Sequence, residues 1–352
     1  MANLKVKSFK ELDLSSDFFT SLKTDYAGFE KWFRKKAEEG ARAYVFFNSK
    51  REIDGFLYLK DEHGAVTDVA PPLPARRHLK VGTLKINAHG TKLGERFVKK
   101  IFDHAVRSGS EDIYVTVFDR HPSLIALLSR YGFVAHAKKV TPDGAEIVLV
   151  RTLRRVSGDV VRDFPYLSLA GKRSFLLAIY PEYHSAFLPD SILRNETHDI
   201  VQDVSHTNSI HKAYISGISA TGTLHAGDIL LIYRTSDGKG KAFYRSVATS
   251  IGVVEEVRKI KSFGTEAEFI SYARPYSIFP IQTLKQIYAK KKRSYIIRFT
   301  YNAALSRRIT RGRMIEEVGL STQRRWDFMR LTERQLRHVA EIGRIDESLI
   351  VD

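Results

Sequence analysis

Residues 84–133 constrain the fold more than any other part of the chain. They read LKINAHGTKLGERFVKKIFDHAV over 84–106 and, after a short gap, DIYVTVFDRHPSLIALLSRYGF over 112–133. The pattern is a strand ending in a turn, an amphipathic helix opening at a glycine, a buried strand, and a second helix closing on Tyr131-Gly132-Phe133. The turn at 89–95 has the chemistry of an anion site. A helix's first turn leaves N–H groups unpaired and its dipole favours negative charge. Small residues there let a ligand approach the backbone.

The flanking segments extend this into a domain of alternating elements. Residues 4–8 alternate as a short strand, and 11–39 read as helix, with Phe18, Phe19, Leu22, Phe29, Trp32 and Phe33 mostly at helical spacing. Strands are expected over 42–48 and 52–60, then a loop over 61–77, where His63-Gly64, Pro71, Pro72 and Pro74 cluster. A strand over 79–87, a helix over 91–107, a strand over 112–118, a helix over 121–131 and a hairpin over 133–153 complete an α+β layout with a mixed sheet.

Residues 154–172, with Ser157-Gly158, Pro165 and Gly171, read as a linker between a domain at 1–153 and another at 173–352. In the second, short strands at 175–180, 211–216, 227–234, 242–257 and 293–300 are separated by glycines, as in a small β-barrel. Helices are expected over 264–274, 280–289 and 314–341.

Composition bounds the partners. The 352 residues carry a net charge of +17, which favours polyanions: nucleic acid first, an anionic membrane surface second. Residues 285–344 hold 16 Lys or Arg against five acids. No cysteine is present, which removes disulfides and thiolate chemistry and fits a cytoplasmic protein. The first residues lack a signal-peptide core, no run of 18 apolar residues appears, and no histidine spacing suggests a metal.

The element order over 1–153 resembles the GNAT acetyltransferases, which bind acetyl-CoA at a helix N-terminus. Their turn motif is Gln or Arg, two free positions, Gly, a free position, and Gly or Ala. Here His89, Gly90, Thr91, Lys92, Leu93 and Gly94 occupy it, with Lys92 at the first glycine position. The resemblance implies acetyl-CoA as cofactor, its pyrophosphate on the backbone of Lys92, Leu93, Gly94 and Glu95, with the strand carrying Leu84, Ile86 and Asn87 along the pantetheine arm. His121 falls where many members place an Asn that touches CoA. Many members also place a Tyr four residues before the Gly of the Gly-Phe pair; Leu128 stands there, which leaves Tyr131 and His121 as the catalytic candidates.

The segment LHAGDILLIYR at 224–234, followed by a strand into Glu255-Glu256, resembles PUA-like domains of the ASCH and EVE kind. The ASCH motif Gly-x-Lys-x-x-Glu is absent, and IHKAYIS at 210–216 stands in its region. Such domains are implied to bind RNA or a modified base, through aromatic faces and cations. The candidates are Lys212, Tyr214, Tyr233, Arg234, Tyr244, Arg245 and Arg274, and the set Arg307, Arg308, Arg311, Arg313, Arg324 and Arg325 with Trp326.

Three functions follow. One is an N-acetyltransferase acting on or positioned by RNA, with tRNA or aminoacyl-tRNA as acceptor, as for the GNAT toxins of toxin–antitoxin systems. A second is a non-catalytic nucleic-acid-binding regulator or defence protein, reading RNA or DNA, whose GNAT fold senses CoA. A third is protein acetylation guided by a nucleic-acid tether.

Overall fold

Alternation at the start of the chain yields an edge strand, β1 (Asn3–Ser8), in the computed structural model, which describes residues 3–87, 92–188, 209–290 and 295–352. The chain divides into two units, Met1–Leu153 and Arg154–Asp352.

In the first unit, β1 pairs with β2 (Arg42–Phe47). Between them run α1 (Thr20–Asp25) and α2 (Phe29–Glu38), where the hydrophobic periodicity predicts one helix over 11–39. The helix is interrupted because Tyr26 adopts an extended conformation, φ −133° and ψ 104°. Phe18, Phe19, Leu22, Phe29 and Phe33 still turn to one side and pack against Phe9 and Phe56.

Strands β3 (Ile53–Val66) and β4 (Leu73–Ile86) form a long hairpin, paired from Gly55↔Ile86 to Val66↔Leu73. It absorbs much of the loop expected over 61–77. The buried His78 ring fastens the extension: Nε2 lies 3.0 Å from the carbonyls of both Gly64 and Pro74, while Nδ1 bonds Asp112. The remaining elements are α3 (Leu93–Ser108), β5 (Asp112–Phe118), α4 (Pro122–Arg130), β6 (Val134–Thr141) and β7 (Gly144–Thr152). The sheet order is β1-β2-β3-β4-β5-β7-β6, with β4 and β5 parallel.

The second unit contains β8 (Ser174–Ile179), α5 (Pro181–Phe187), β9 (His211–Ser216), β10 (Ile229–Arg234), α6 (Ala242–Arg245) and β11 (Val247–Lys259). Then follow α7 (Glu266–Ala273), α8 (Ile281–Lys290), β12 (Tyr295–Thr310), α9 (Arg311–Glu316), β13 (Phe328–Leu331) and α10 (Glu333–Ile342). Its sheet has the order β13-β8-β10-β11-β12-β9, with β8 and β10 parallel.

Both units are therefore mixed α/β. Among the described residues the second sheet is open rather than a closed barrel, because its outer strands β13 and β9 do not pair with each other. Three register shifts between β11 and β12 disrupt and bend the longest ladder. The helix expected over 314–341 is α9, β13 and α10: Gly319 turns the chain at φ 73°, and a Thr332–Gln335 capping box starts α10. Residues 242–245, expected as strand, form α6. Phe164, Tyr166, Leu167 and Leu169, in the segment read as a linker, are buried. The Leu167 N–H donates to the Leu349 carbonyl at 2.8 Å.

Candidate functional site

The parallel pairing of β4 and β5 lasts four residues, from His78↔Asp112 to Val81↔Val115, although both strands continue. Next to the last rung, β4 carries a bulge: Leu59 pairs with Val81 and Tyr58 with Thr83, so Gly82 is the extra residue. A bulge kinks its strand, and beyond it β4 no longer follows β5. The fork opens a cleft of about 1020 Å³, lined by Thr83, Leu84, Lys85 and Ile86 on one strand and Val115, Thr116 and Val117 on the other. The β5-facing backbone of 83–86 has no ladder partner among the described residues. The start of α3 lies on the same cleft through Lys92, Leu93 and Gly94.

At one part of the wall, His121 precedes α4 and its Nε2 lies 3.2 Å from Asp25 Oδ2, while Arg120 binds Asp25 at 2.9 Å. Tyr26 donates its hydroxyl to buried Glu146 at 2.8 Å. Burial and then the Glu146 carboxylate push the Tyr26 hydroxyl far above the ordinary phenol range, so it is a donor and not a base. Asp25 and Tyr26 reach the cleft because the helix breaks there.

Another part is cationic. Lys60 binds Glu62 at 2.7 Å, and Tyr114 donates to the other Glu62 oxygen. Burial alone raises the Glu62 carboxyl, but these hydrogen bonds and the charge of Lys80 outweigh it and hold it low. Burial depresses both Lys80 and Lys85. Lys85 donates to the Phe18 carbonyl and, at 2.6 Å, to Ser21 Oγ.

The cleft thus gathers Leu84, Ile86, Lys92, Leu93, Gly94 and His121 from the sequence candidates. His89, Gly90 and Thr91 lie outside the described residues. Asn87 sits at the strand end, its N–H on the Asp54 carbonyl at 2.9 Å. Lys92 takes the left-handed conformation, φ 56°, immediately before α3. Glu95 is buried with Arg130 at 3.2 Å and Lys92 at 3.8 Å. Tyr131 is fully buried at the end of α4 and does not line the cleft; Leu128 is buried too. The residues that sequence reasoning missed are Asp25, Tyr26, Glu62, Lys80, Lys85 and Glu146.

The second unit has a pocket of about 750 Å³ lined by Tyr180, Tyr183, Tyr214, Tyr233, Phe279 and Trp326, with Arg311 and Arg325. The Arg311 guanidinium lies 4.7 Å from the Trp326 ring, and Tyr214 donates to the Ala178 carbonyl at 3.2 Å. Other basic candidates are elsewhere. Lys212 is 1% exposed, 5.6 Å from the Phe187 ring and 5.7 Å from Tyr301, and Arg234 is buried as well, so neither presents its charge to solvent. Arg308 is half-buried. Arg245 and Arg313 are held by Asp237 and Glu317. Arg274, Arg307 and Arg324 are exposed, as is Tyr244. Among the described residues, no helix is long and apolar enough to cross a membrane.

No protein-family model matches the chain, and no curated protein matches it. Solved structures of two kinds are similar. The NatC complex bound to Gag peptide and CoA aligns with 43% of this chain and 99% of its own, at 16% identity and a TM-score of 0.30. The Campylobacter jejuni N-acetyltransferase PseH aligns with 42% of this chain and 97% of its own, at 15% identity and a TM-score of 0.28. An ASCH protein from Zymomonas mobilis aligns with 49% of this chain and 96% of its own, at 10% identity and a TM-score of 0.32.

Proposed function

We propose that the N-terminal unit is an acetyl-CoA-dependent N-acetyltransferase and that the C-terminal unit engages RNA, the acceptor being an RNA-borne amine such as that of aminoacyl-tRNA. The observation that carries this reading is the fork: parallel strands that part at Val81 and Val115 over a cleft of about 1020 Å³.

Acetyl-CoA fits the residues present. The unladdered edge of 83–86 offers amide partners to an extended arm. The start of α3 offers N–H groups to a pyrophosphate, and Lys92 and Arg120 add positive charge at the cleft. When bound, acetyl-CoA supplies an acyl group activated as a thioester. The chain supplies proton handling. His121, held against Asp25, is placed to take the proton that an ammonium acceptor must lose. Tyr26 remains protonated and orients Glu146. In the second unit, the aromatic pocket suits a stacked base and its arginines a phosphate.

Calorimetry with acetyl-CoA on the full chain and on Thr83→Trp, which fills the fork, tests the cofactor reading. Wild type binds and the variant does not; absence of binding to wild type overturns it. Incubating total aminoacyl-tRNA with the protein and acetyl-CoA, then weighing the hydrolysed aminoacyl groups, tests the acceptor. Acetyl-CoA binding without transfer to any amine favours a CoA sensor.

A further inference from the structure

Across β3, β4 and β5, the register sets Lys60 directly opposite Lys80, and Lys80 directly opposite Tyr114. The row lies beside the last rung before the fork. Like charges directly opposite each other destabilise a sheet, and half-burial of a cation adds a desolvation cost. Two lysines here are compensated. Lys60 binds Glu62 at 2.7 Å, and Lys139, also on the cleft, binds Asp68 at 2.5 Å.

Lys80 is not compensated in this way. Among the described residues no carboxylate lies within 4 Å of its ammonium, which sits over the Tyr114 ring, 5.4 Å from the centroid. Glu62 cannot readily turn to it, because one oxygen accepts from Lys60 and the other from Tyr114. Burial draws the Lys80 pKa down; Glu62 and Asp68 pull it up, and Lys139 and Lys60 pull it down again. Three ammonium groups therefore share two carboxylates in a cleft open to ligands.

The missing partner is an anion. A phosphate matches better than a carboxylate, because it carries more charge and three oxygens that can bridge separate lysines, whereas a carboxylate has two. We propose that Lys80, assisted by Lys60 and Lys139, binds a phosphate group carried by the acceptor. The word acceptor rests on the acyl-transfer reading; the anion site itself rests on the lysine row.

The test uses the full chain and inorganic phosphate as probe, by calorimetry, with and without saturating CoA. Wild type is expected to bind phosphate saturably in both conditions. Lys80→Met should weaken binding at least tenfold, and Lys80→Arg should restore it to within a few-fold. Without phosphate, Lys80→Met should melt at or above the wild-type temperature, because a desolvated cation has been removed. Phosphate should raise the melting temperature of wild type and Lys80→Arg, and not that of Lys80→Met. No saturable binding by wild type, or equal binding by Lys80→Met, overturns the proposal. Loss of phosphate binding when CoA is added also overturns it, since the lysines then serve the cofactor's own phosphates. Lys80-dependent phosphate binding in a protein that does not bind CoA sustains the site and overturns the acyl-transfer reading. Adenosine monophosphate and a short 5′-phosphorylated RNA, titrated in parallel, identify the source: tighter binding of the RNA assigns a nucleic-acid end, and tighter binding of the nucleotide a small phosphate ester.

Discussion

His121 Nε2 lies 3.2 Å from Asp25 Oδ2, joining the start of α4 to the break between α1 and α2 on the wall of one cleft. A base oriented by a carboxylate is the recurring arrangement for moving a proton away from a nucleophile. His121→Gln and Asp25→Asn should each lower kcat for acetyl transfer, by about 10²-fold for the histidine and less for the aspartate. Acetyl-CoA affinity, measured by calorimetry, should stay within a few-fold. Unchanged kcat in His121→Gln removes the histidine from the reaction.

Gly94 has a packing reason beside any ligand. A Cβ placed there would lie 2.7 Å from Leu127 Cδ2, so α3 and α4 meet at this glycine. Gly94→Leu should therefore destabilise the fold only modestly, by up to about 1 kcal/mol net, because the end of the Leu127 side chain can shift and a helix-propensity gain of about 1 kcal/mol offsets the crowding. Adding Leu127→Ala should recover part of the loss in urea unfolding, and a double-mutant cycle would measure the coupling. Strict additivity would show that the two residues do not compete for the same space.

The same glycine shows how far the sequence could be read. Its position before an amphipathic run located α3, because hydrophobic periodicity is a local signal. Its contact with Leu127 depends on how two helices pack. The polar side chains of the cleft are further out of reach: Asp25, Glu62, Lys80 and Glu146 come from four distant segments and meet through sheet register and a helix break. The prolines near 71–74 suggested a loop, yet the His78 bonds to Gly64 and Pro74 extend the hairpin through it. Among the basic candidates of the second unit, composition was legible and burial was not. Lys212 and Arg234 are inside, while Arg311 and Arg325 line a pocket.

His184 sets a pH dependence for the second unit. It is fully buried, its Nε2 lies 2.8 Å from Thr249 Oγ1, and among the described residues its Nδ1 has no hydrogen-bond partner. Burial, with Arg234 and Arg308 adding repulsion, lowers its pKa to about 3. The unfolded chain takes up this proton near pH 6.5 and the folded chain does not, so stability falls as pH drops from about 6.5 towards 3. Between pH 7.5 and 5.0 this one group should cost about 2 kcal/mol, from about 1.4 kcal/mol per pH unit below its unfolded pKa. Urea unfolding at the two pH values should show a smaller difference in His184→Gln. An equal difference would assign the acid sensitivity to other groups.

The aromatic pocket makes the RNA reading quantitative. Tyr180 lines it and is 65% exposed, and it meets α5 through its backbone, so Tyr180→Ala should leave the fold intact. If a base stacks there, its loss should weaken binding of a single-stranded RNA by about 1–3 kcal/mol. Arg325 also lines the pocket, with its side chain 89% exposed. Arg325→Ala should lower the slope of log affinity against log salt by about 0.7, the effect of one lost phosphate contact on a single strand. Lys212→Met is the counter-test, because this lysine is 1% exposed and its charge faces rings rather than solvent. It should change stability and leave the salt slope unaltered. Filter-binding titrations from 50 to 300 mM salt separate these outcomes. Equal slopes for Arg325→Ala and wild type, together with unchanged affinity in Tyr180→Ala, would move RNA binding away from this pocket.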